Sequence, residues 1–116
     1  MIFDNNKAIY LQISELICEN IINKKWKEND RIPSVRDMAI NLEVNPNTVN
    51  KTYSLLEEKK IIKNQRGIGY FVSEGSSEAI KISMKEIFFK NELPLLIKKI
   101  KLLDIKIEEI INLLKE

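Results

Sequence analysis

Apolar residues recur every three or four positions over residues 8–24, a spacing that predicts an amphipathic first helix. The same spacing predicts two more helices over residues 34–42 and 46–59. Ser34 opens the second helix and Asn45 stands directly before the third, and both residue types cap helix N-termini. The short second helix and the tight turn after it predict a helix-turn-helix. The side chains predicted to face inward are Ile9, Ile13, Leu16, Ile17, Ile21, Val35, Met38, Ala39, Leu42, Val49, Tyr53 and Leu56.

A β-hairpin is predicted directly after the third helix. Residues 61–65 and 70–72 are β-prone, and residues 66–69 between them contain two glycines. Residues 30–32 are predicted to form a further short strand, because the residue before Pro33 avoids the α region.

The polar, small residues 73–77 predict a boundary between a domain over residues 1–75 and a tail over residues 76–116. The predicted fold is therefore mainly α-helical with a small β-hairpin: a winged helix-turn-helix domain followed by a helical tail.

The tail is predicted to consist of amphipathic helices. Pro94 lacks an N–H and is expected to kink or break the helix near Leu93, and Asp104 with Ile105 interrupts the apolar repeat again. So many apolar side chains cannot all be buried within about forty residues, which predicts a partner surface. That surface is either the N-terminal domain or a second copy of the chain, and the second copy is the expected partner. Enclosure of a small ligand is the less simple alternative. The residues expected to form the dimer contact are Ile87, Phe88, Leu96, Ile100, Leu103, Ile107 and Ile111.

Composition excludes several classes of protein. The 116 residues include no histidine, so a His-containing zinc site and His-based acid–base catalysis are impossible. Cys18 is the only cysteine; burial is expected, and redox sensing is the alternative. Trp26 is expected to pack on the core rather than to stack on a ligand. Neither an enzyme nor a metal or other cofactor is expected.

Charge and hydropathy bear on the partner and the location. The net charge is only +2, so any basic surface must be local. No apolar run is long enough to span a membrane, and residues 1–7 lack the pattern of a signal peptide. We therefore expect a cytoplasmic protein without a membrane partner.

The start of the third helix carries the residue types that read DNA. Short polar side chains near a helix N-terminus can reach base edges and phosphates in the major groove. Asn47, Thr48, Asn50 and Lys51 meet that requirement, and an ordinary solvated helix face is the alternative. Asn can pair with adenine, Thr with a phosphate or a thymine methyl, and Lys with a phosphate or guanine.

Three further residues are predicted to contact DNA. Arg36 could bind a backbone phosphate, or it could instead pair with Asp37 or Glu43 on the surface. Arg66 and Gly67 form the predicted hairpin tip, where arginine could enter a narrow minor groove. A solvated turn is the alternative for that tip.

These segments resemble the GntR family of bacterial transcription regulators. The family signature appears here as Ile-Pro-Ser-Val-Arg over residues 32–36 and as Val-Asn-Pro-Asn-Thr-Val over residues 44–49. It continues as Gln-Arg-Gly-Ile-Gly-Tyr-Phe-Val over residues 65–72, and the opening helix matches over residues 9–13. The resemblance implies that Arg36, Asn47, Thr48, Asn50, Arg66 and Gly67 occupy DNA-contacting positions.

The chain also departs from the family pattern. The family usually has glycine where this chain has Lys25, Asn29 and Glu43, so we expect the turns at Lys25 and Glu43 to differ. The contact usually made by arginine falls at Asn50, with Lys51 beside it.

The short tail resembles that of the YtrA-like regulators, whose C-terminal helices dimerise. The resemblance implies a homodimeric repressor that binds a palindromic operator in double-stranded DNA and controls its own or a transporter operon. The alternative is a winged-helix adaptor that binds another protein without specific DNA binding. The residues single out no small-molecule effector.

Overall fold

The computed structural model describes residues 3–116, so Met1 and Ile2, which begin the predicted first domain, lie outside the described residues. Helices dominate, and one antiparallel β-hairpin follows the third helix. The elements are α1 (Ile9–Ile22), α2 (Val35–Leu42), α3 (Pro46–Glu58), β1 (Ile62–Gln65), β2 (Gly69–Val72), α4 (Ser76–Ile87), a π-helical turn (Phe88–Glu92), α5 (Leu93–Leu102) and α6 (Ile107–Leu114).

Side-chain caps fix the starts of α2 and α3, as the sequence predicts. The Ser34 hydroxyl accepts a hydrogen bond from the Asp37 backbone N–H at 3.0 Å. The Asn45 side-chain oxygen accepts one from the Asn47 backbone N–H at 2.8 Å, and Pro46 occupies the first helical position. Both caps satisfy backbone donors that a helix leaves unpaired, so the helix-turn-helix is determined locally.

Left-handed residues close the turns where the family usually has glycine. Glu43 has φ 55°, so the expectation that its turn would differ is wrong. The Val44 N–H donates to the Ala39 carbonyl at 3.0 Å and Glu43 N–H to the Ile40 carbonyl at 3.3 Å, which satisfies the last carbonyls of α2. Asn29 is also left-handed, with φ 69°. After α1, the left-handed residue is Lys24, one position before the expected Lys25.

Replacing Glu43 with glycine is expected to stabilise the fold by about 1 kcal/mol, because a side chain in the left-handed region crowds its own backbone. Urea unfolding of the full chain measures the change. The matched control is Glu57→Gly in right-handed, exposed α3, which should destabilise by a similar amount. A loss of stability in Glu43→Gly would show that the Glu43 side chain makes a favourable interaction greater than its backbone strain.

The hairpin forms a wing with a third short segment beside it. β1 pairs with β2 from Ile62–Val72 to Gln65–Gly69, and the tip comprises residues 66–68. On the other edge of β2, Ile32 N–H donates to the Tyr70 carbonyl at 3.0 Å, and Val72 N–H donates to the Asp30 carbonyl at 2.9 Å. The strand predicted over residues 30–32 is therefore present as a β-bridge, centred on Arg31 and Phe71.

The core joins the three N-terminal helices and the inner face of the wing. Most of the predicted inward-facing side chains are buried or pack against buried ones, whereas Ile9 is exposed. Cys18 and Trp26 are partly buried against this core. Burial is the main cause that raises the pKa of the Cys18 thiol, which disfavours the reactive thiolate and favours the packing interpretation. The buried apolar residues are Ile13, Ile17, Ile21, Ile32, Met38, Ala39, Val49, Tyr53, Leu56, Ile62, Val72 and Ile80.

The chain divides into two compact units, Met1–Lys81 and Ile82–Glu116. This division lies later than the predicted boundary at residue 75. The first turns of α4 belong to the first unit, because Ser76, Ser77 and Ile80 are buried there. The Gly75 N–H donates to the Glu28 carboxylate at 2.8 Å and ties the start of α4 to the loop after α1.

The second unit is helical on both sides of Pro94. Leu93 has helical dihedral angles, and its N–H donates to the Phe88 carbonyl, one residue further back than in an α-helix. The irregularity predicted at Pro94 therefore takes the form of a π-helical turn, and the helix is not broken. Asp104, with φ 53°, ends α5, as the interrupted apolar repeat predicts. The Lys106 N–H then donates to the Glu109 carboxylate at 3.0 Å, at the start of α6.

Candidate nucleic-acid interface

The first two turns of α3 present polar side chains to solvent. Asn47, Asn50 and Lys51 are exposed, and Thr48 is half-buried. Asn47, Thr48 and Lys51 line one shallow groove together with Ile9 and Tyr10 of α1. The structure thus brings together three of the four residues predicted on this helix.

Two buried hydrogen bonds fix the position of α3. The Thr52 hydroxyl, fully buried, donates to the Tyr10 carbonyl of α1 at 2.8 Å. The Tyr53 hydroxyl donates to the Pro33 carbonyl at 2.6 Å, and its ring meets Tyr70 of the wing edge-on, with ring centroids 4.9 Å apart. Burial raises the pKa of Tyr53, so the phenol stays protonated and able to donate. The helical spacing of apolar residues predicts that Tyr53 faces inward but does not indicate Thr52, although Thr52 lies three residues after buried Val49.

Lys51 is held by an aromatic ring. Its ammonium nitrogen lies 4.0 Å from the centre of the Tyr10 ring, a cation–π distance. The residue pattern predicts a DNA contact for Lys51 but does not indicate Tyr10 as its neighbour. The contact links α1 to the exposed surface of α3 and restricts an otherwise flexible side chain.

Arg36 is exposed on the first turn of α2. Within residues 3–116 its side chain makes no ion pair or hydrogen bond, so the alternative pairing with Asp37 or Glu43 is not formed. The guanidinium is therefore available to an external anion.

The wing tip exposes Arg66 and Gly67. Gly67 has φ 79°, a left-handed conformation that suits glycine, and no atom lies within 4 Å of the position a Cβ would take. The Ile68 N–H donates to the Gln65 carbonyl at 2.9 Å and closes the turn. Glycine is therefore needed here for backbone conformation rather than for close packing, and the neighbouring arginine extends from a tight tip.

Within the described chain, residues 3–116 include no cluster of His, Cys, Asp or Glu side chains that could hold a metal ion. No helix of this part is both long and apolar enough to cross a membrane.

A family model described as bacterial regulatory proteins, gntR family, matches residues 9–72. The uncharacterized HTH-type transcriptional regulator YhcF of Bacillus subtilis is 36% identical over 113 residues, which cover 97% of this chain and 92% of YhcF. The HTH-type transcriptional repressor YtrA of the same bacterium is 33% identical over 112 residues, which cover 97% of this chain and 85% of YtrA.

Solved structures agree with this assignment. A GntR family transcriptional regulator from Listeria monocytogenes superposes with a TM-score of 0.79 at 34% identity, over 97% of each chain. The structure of AraR(DBD) in complex with operator ORR3 superposes with a TM-score of 0.53 at 25% identity, over 55% of this chain and 77% of that one. The predicted winged-helix fold is confirmed, and these relatives are transcription regulators rather than enzymes. The chain belongs to the GntR family of bacterial transcription regulators, among the members that resemble YtrA.

Proposed function

We propose that this DNA-binding regulator is a homodimeric repressor that binds a palindromic operator. The observation that carries the proposal is the exposed polar start of α3, held by the buried hydrogen bonds of Thr52 and Tyr53. A rigid helix that presents short polar side chains at its N-terminus fits a major groove. The operator complex of the related AraR(DBD) supports the same use of this domain.

The proposed contacts divide between bases and phosphates. Asn47 and Asn50 would read base edges through their amides, and Thr48 would contact a phosphate or a thymine methyl. Lys51 and Arg36 would neutralise backbone phosphates. The tip residues Arg66 and Gly67 would enter the minor groove beside the major groove that α3 occupies, where the absence of a side chain at Gly67 permits close approach. The proposed DNA-binding residues are Arg36, Asn47, Thr48, Asn50, Lys51, Arg66 and Gly67.

The apolar face of the second unit supports the dimer. Most of its large apolar side chains are exposed in a single chain: Leu96 is 48% exposed and Leu103 is 65% exposed, whereas Ile100 is half-buried. Soluble monomers rarely expose a continuous apolar surface of this kind. A second copy covers it by two-fold symmetry and presents two α3 helices to the half-sites of a palindrome. The proposed dimer residues are Ile87, Phe88, Leu96, Ile100, Leu103, Ile107 and Ile111.

Repression is proposed from the relative YtrA, which is described as a repressor. A dimer bound over a promoter would exclude polymerase, and the regulated operon would be the protein's own or one for a transporter. Such a protein acts in the cytoplasm, where bacterial DNA lies.

The test is a mobility shift with duplex DNA from upstream of the protein's own gene, against an unrelated duplex of the same length. We expect a complex with the upstream duplex that survives excess unrelated DNA and weakens steeply as salt rises. Equal, salt-insensitive binding of both duplexes, or no binding, would favour the protein-binding adaptor instead.

The contact between Lys51 and Tyr10 gives a second prediction on DNA affinity. Tyr10→Leu removes the ring that orders the Lys51 side chain before DNA binds, so that this ordering must then be supplied on binding. Operator binding should weaken about threefold, since a cation–π contact at an exposed site stabilises that order by roughly 0.5–1 kcal/mol. Tyr10→Phe keeps the ring and is the matched control, expected to bind like the unchanged protein. Fluorescence anisotropy measures both affinities. If Tyr10→Leu has the same effect in a Lys51→Ala background, the ring does not act through Lys51.

A further inference from the structure

Arg31 lies on the outer face of the wing. It pairs with Phe71 across the β-bridge, and paired residues share a face of a sheet. Gly69 lies two residues before Phe71 and therefore on the same face. The opposite face, which carries Tyr70 and buried Val72, packs on the core. The Arg31 side chain thus leaves the core and extends towards the wing tip.

The guanidinium of Arg31 lies directly over Gly69. A Cβ at position 69 would stand 2.9 Å from the Arg31 Nε, closer than real Cβ contacts come, and 3.2 Å from Nη2, which is unusually tight, so the Arg31 side chain would have to move. Gly69 pairs with Gln65, and the tip follows immediately at Arg66. The absence of a side chain at Gly69 therefore lets a second cationic group lie across the strand close to the tip.

Among the described residues, no group neutralises the Arg31 cation. Arg31 is exposed, and within residues 3–116 its guanidinium forms no ion pair and no hydrogen bond. On the same outer face, Lys63 donates to the Asn29 side chain at 3.0 Å, so its ammonium already has a neutral partner. Arg31 is thus a solvent-facing guanidinium beside the tip, with its donors free.

The geometry points to Arg31 as a DNA-contacting residue of the wing, binding a backbone phosphate at the edge of the groove that Arg66 enters. This inference rests on the proposed DNA binding. A minor groove is bordered by two phosphate backbones, so a wing inserted by its tip brings the strands behind the tip against one of them. Arg31 lies behind the tip, where a phosphate rather than a base edge is within reach, and its planar donors suit two phosphate oxygens at once.

The test compares Arg31→Met with Lys25→Met in the full-length protein. Both variants lose one positive charge, and methionine keeps the apolar stem. Lys25 is exposed in the loop after α1, whereas the proposed α3 contacts lie against Tyr10 at the other end of that helix. The probe is duplex DNA that the unchanged protein selects from a random-sequence pool, with an unrelated duplex beside it. Anisotropy titrations at several salt concentrations give affinity and its salt dependence.

Arg31→Met is expected to weaken binding to both duplexes about five- to tenfold per bound subunit and to reduce the slope of log affinity against log salt by about one per subunit. Lys25→Met should change the affinity by no more than about twofold and leave the salt slope unchanged. Arg31→Lys should also keep the salt slope of the unchanged protein. Thermal unfolding of each variant shows whether the wing remains folded.

The possible results test the Arg31 contact and the proposed DNA binding separately. If Arg31→Met keeps the affinity and salt slope of the unchanged protein, Arg31 only packs over Gly69 and the inference is overturned. If Arg31→Met and Lys25→Met lose affinity equally, the effect is one of net charge, and the inference also fails. If the unchanged protein selects no duplex and binds none with salt dependence, the proposed DNA binding itself fails.

Discussion

Introducing charge into the apolar face of the second unit is expected to convert the protein from a dimer to a monomer. The change is Leu96→Glu together with Leu103→Glu, at two side chains that are exposed in one chain. Each leucine is worth roughly 1.5–3 kcal/mol when fully buried, and a dimer contains both twice. Dimerisation should therefore weaken by more than about a thousandfold. Sedimentation at micromolar concentration measures the state of association.

The affinity for the operator should fall when dimerisation is lost. When one subunit of a dimer has bound its half-site, α3 of the second subunit is held near the other half-site at a millimolar effective concentration. A monomer lacks this advantage, which raises the affinity for the operator about a hundredfold or more. The matched control is Lys98→Glu, on the polar side of the same helix, which should remain a dimer. An unchanged protein that sediments as a monomer, or a double variant that still dimerises, would refute the proposed interface. If Lys98→Glu remains a dimer but loses DNA binding, the loss is caused by the change of charge and not by dissociation of the dimer.

Removal of the wing-tip cation is expected to weaken operator binding by roughly 1–3 kcal/mol, about ten- to a hundredfold. The change is Arg66→Ala. The conformation of the tip depends on Gly67, which has φ 79°, so the tip should keep its shape in this variant. If Arg66 neutralises phosphates, the affinity should fall equally for the operator and for an unrelated duplex. If Arg66 reads a narrow minor groove, the affinity should fall chiefly for the operator. Anisotropy titration against both duplexes measures this.

Asn47→Ala provides the contrast, because an amide that reads a base should matter only where that base is present. We expect this variant to lose discrimination between the operator and single-base variants while its affinity for unrelated DNA stays unchanged. Uniform weakening on every duplex would mean that Asn47 contacts only the backbone. If Arg66→Ala has no effect on any duplex, the wing does not touch DNA.

The helix-turn-helix could be predicted because its signals are local. Ser34 and Asn45 each satisfy a backbone donor two or three residues away, so their side chains define the helix starts without any distant partner. The helical spacing of apolar residues likewise identified Val49, Tyr53 and Leu56 as core positions. The seven proposed DNA-binding residues are exposed except half-buried Thr48, while their contact with DNA stays a prediction.

Glu43 shows how local rules can mislead. Its side chain disfavours left-handed geometry, yet the carbonyls that end α2 are satisfied only when the chain turns that way. The gain from two hydrogen bonds exceeds the strain, and the turn keeps the shape that glycine usually provides. Lys24, Lys60 and Asp104 are left-handed as well, and the backbone N–H of each donates to a carbonyl of the helix before it.

Contacts between residues distant in sequence required the folded structure. The Thr52 hydroxyl meets the Tyr10 carbonyl, the Lys51 ammonium meets the Tyr10 ring, and the Arg31 guanidinium lies over Gly69. None of these pairs follows from a periodicity, because each depends on how two elements are packed.

Residue order alone predicted the starts of α2 and α3, most core positions of the first three helices, the wing and the family, because capping, periodicity and turn chemistry act over a few residues. Tertiary packing decided the rest. It buried Ser76, Ser77 and Ile80 in the first unit, and it set Lys51 and Arg31 in fixed places on the proposed DNA surface. These features depend on the distance and orientation between whole elements, which only the simultaneous burial of their apolar faces determines.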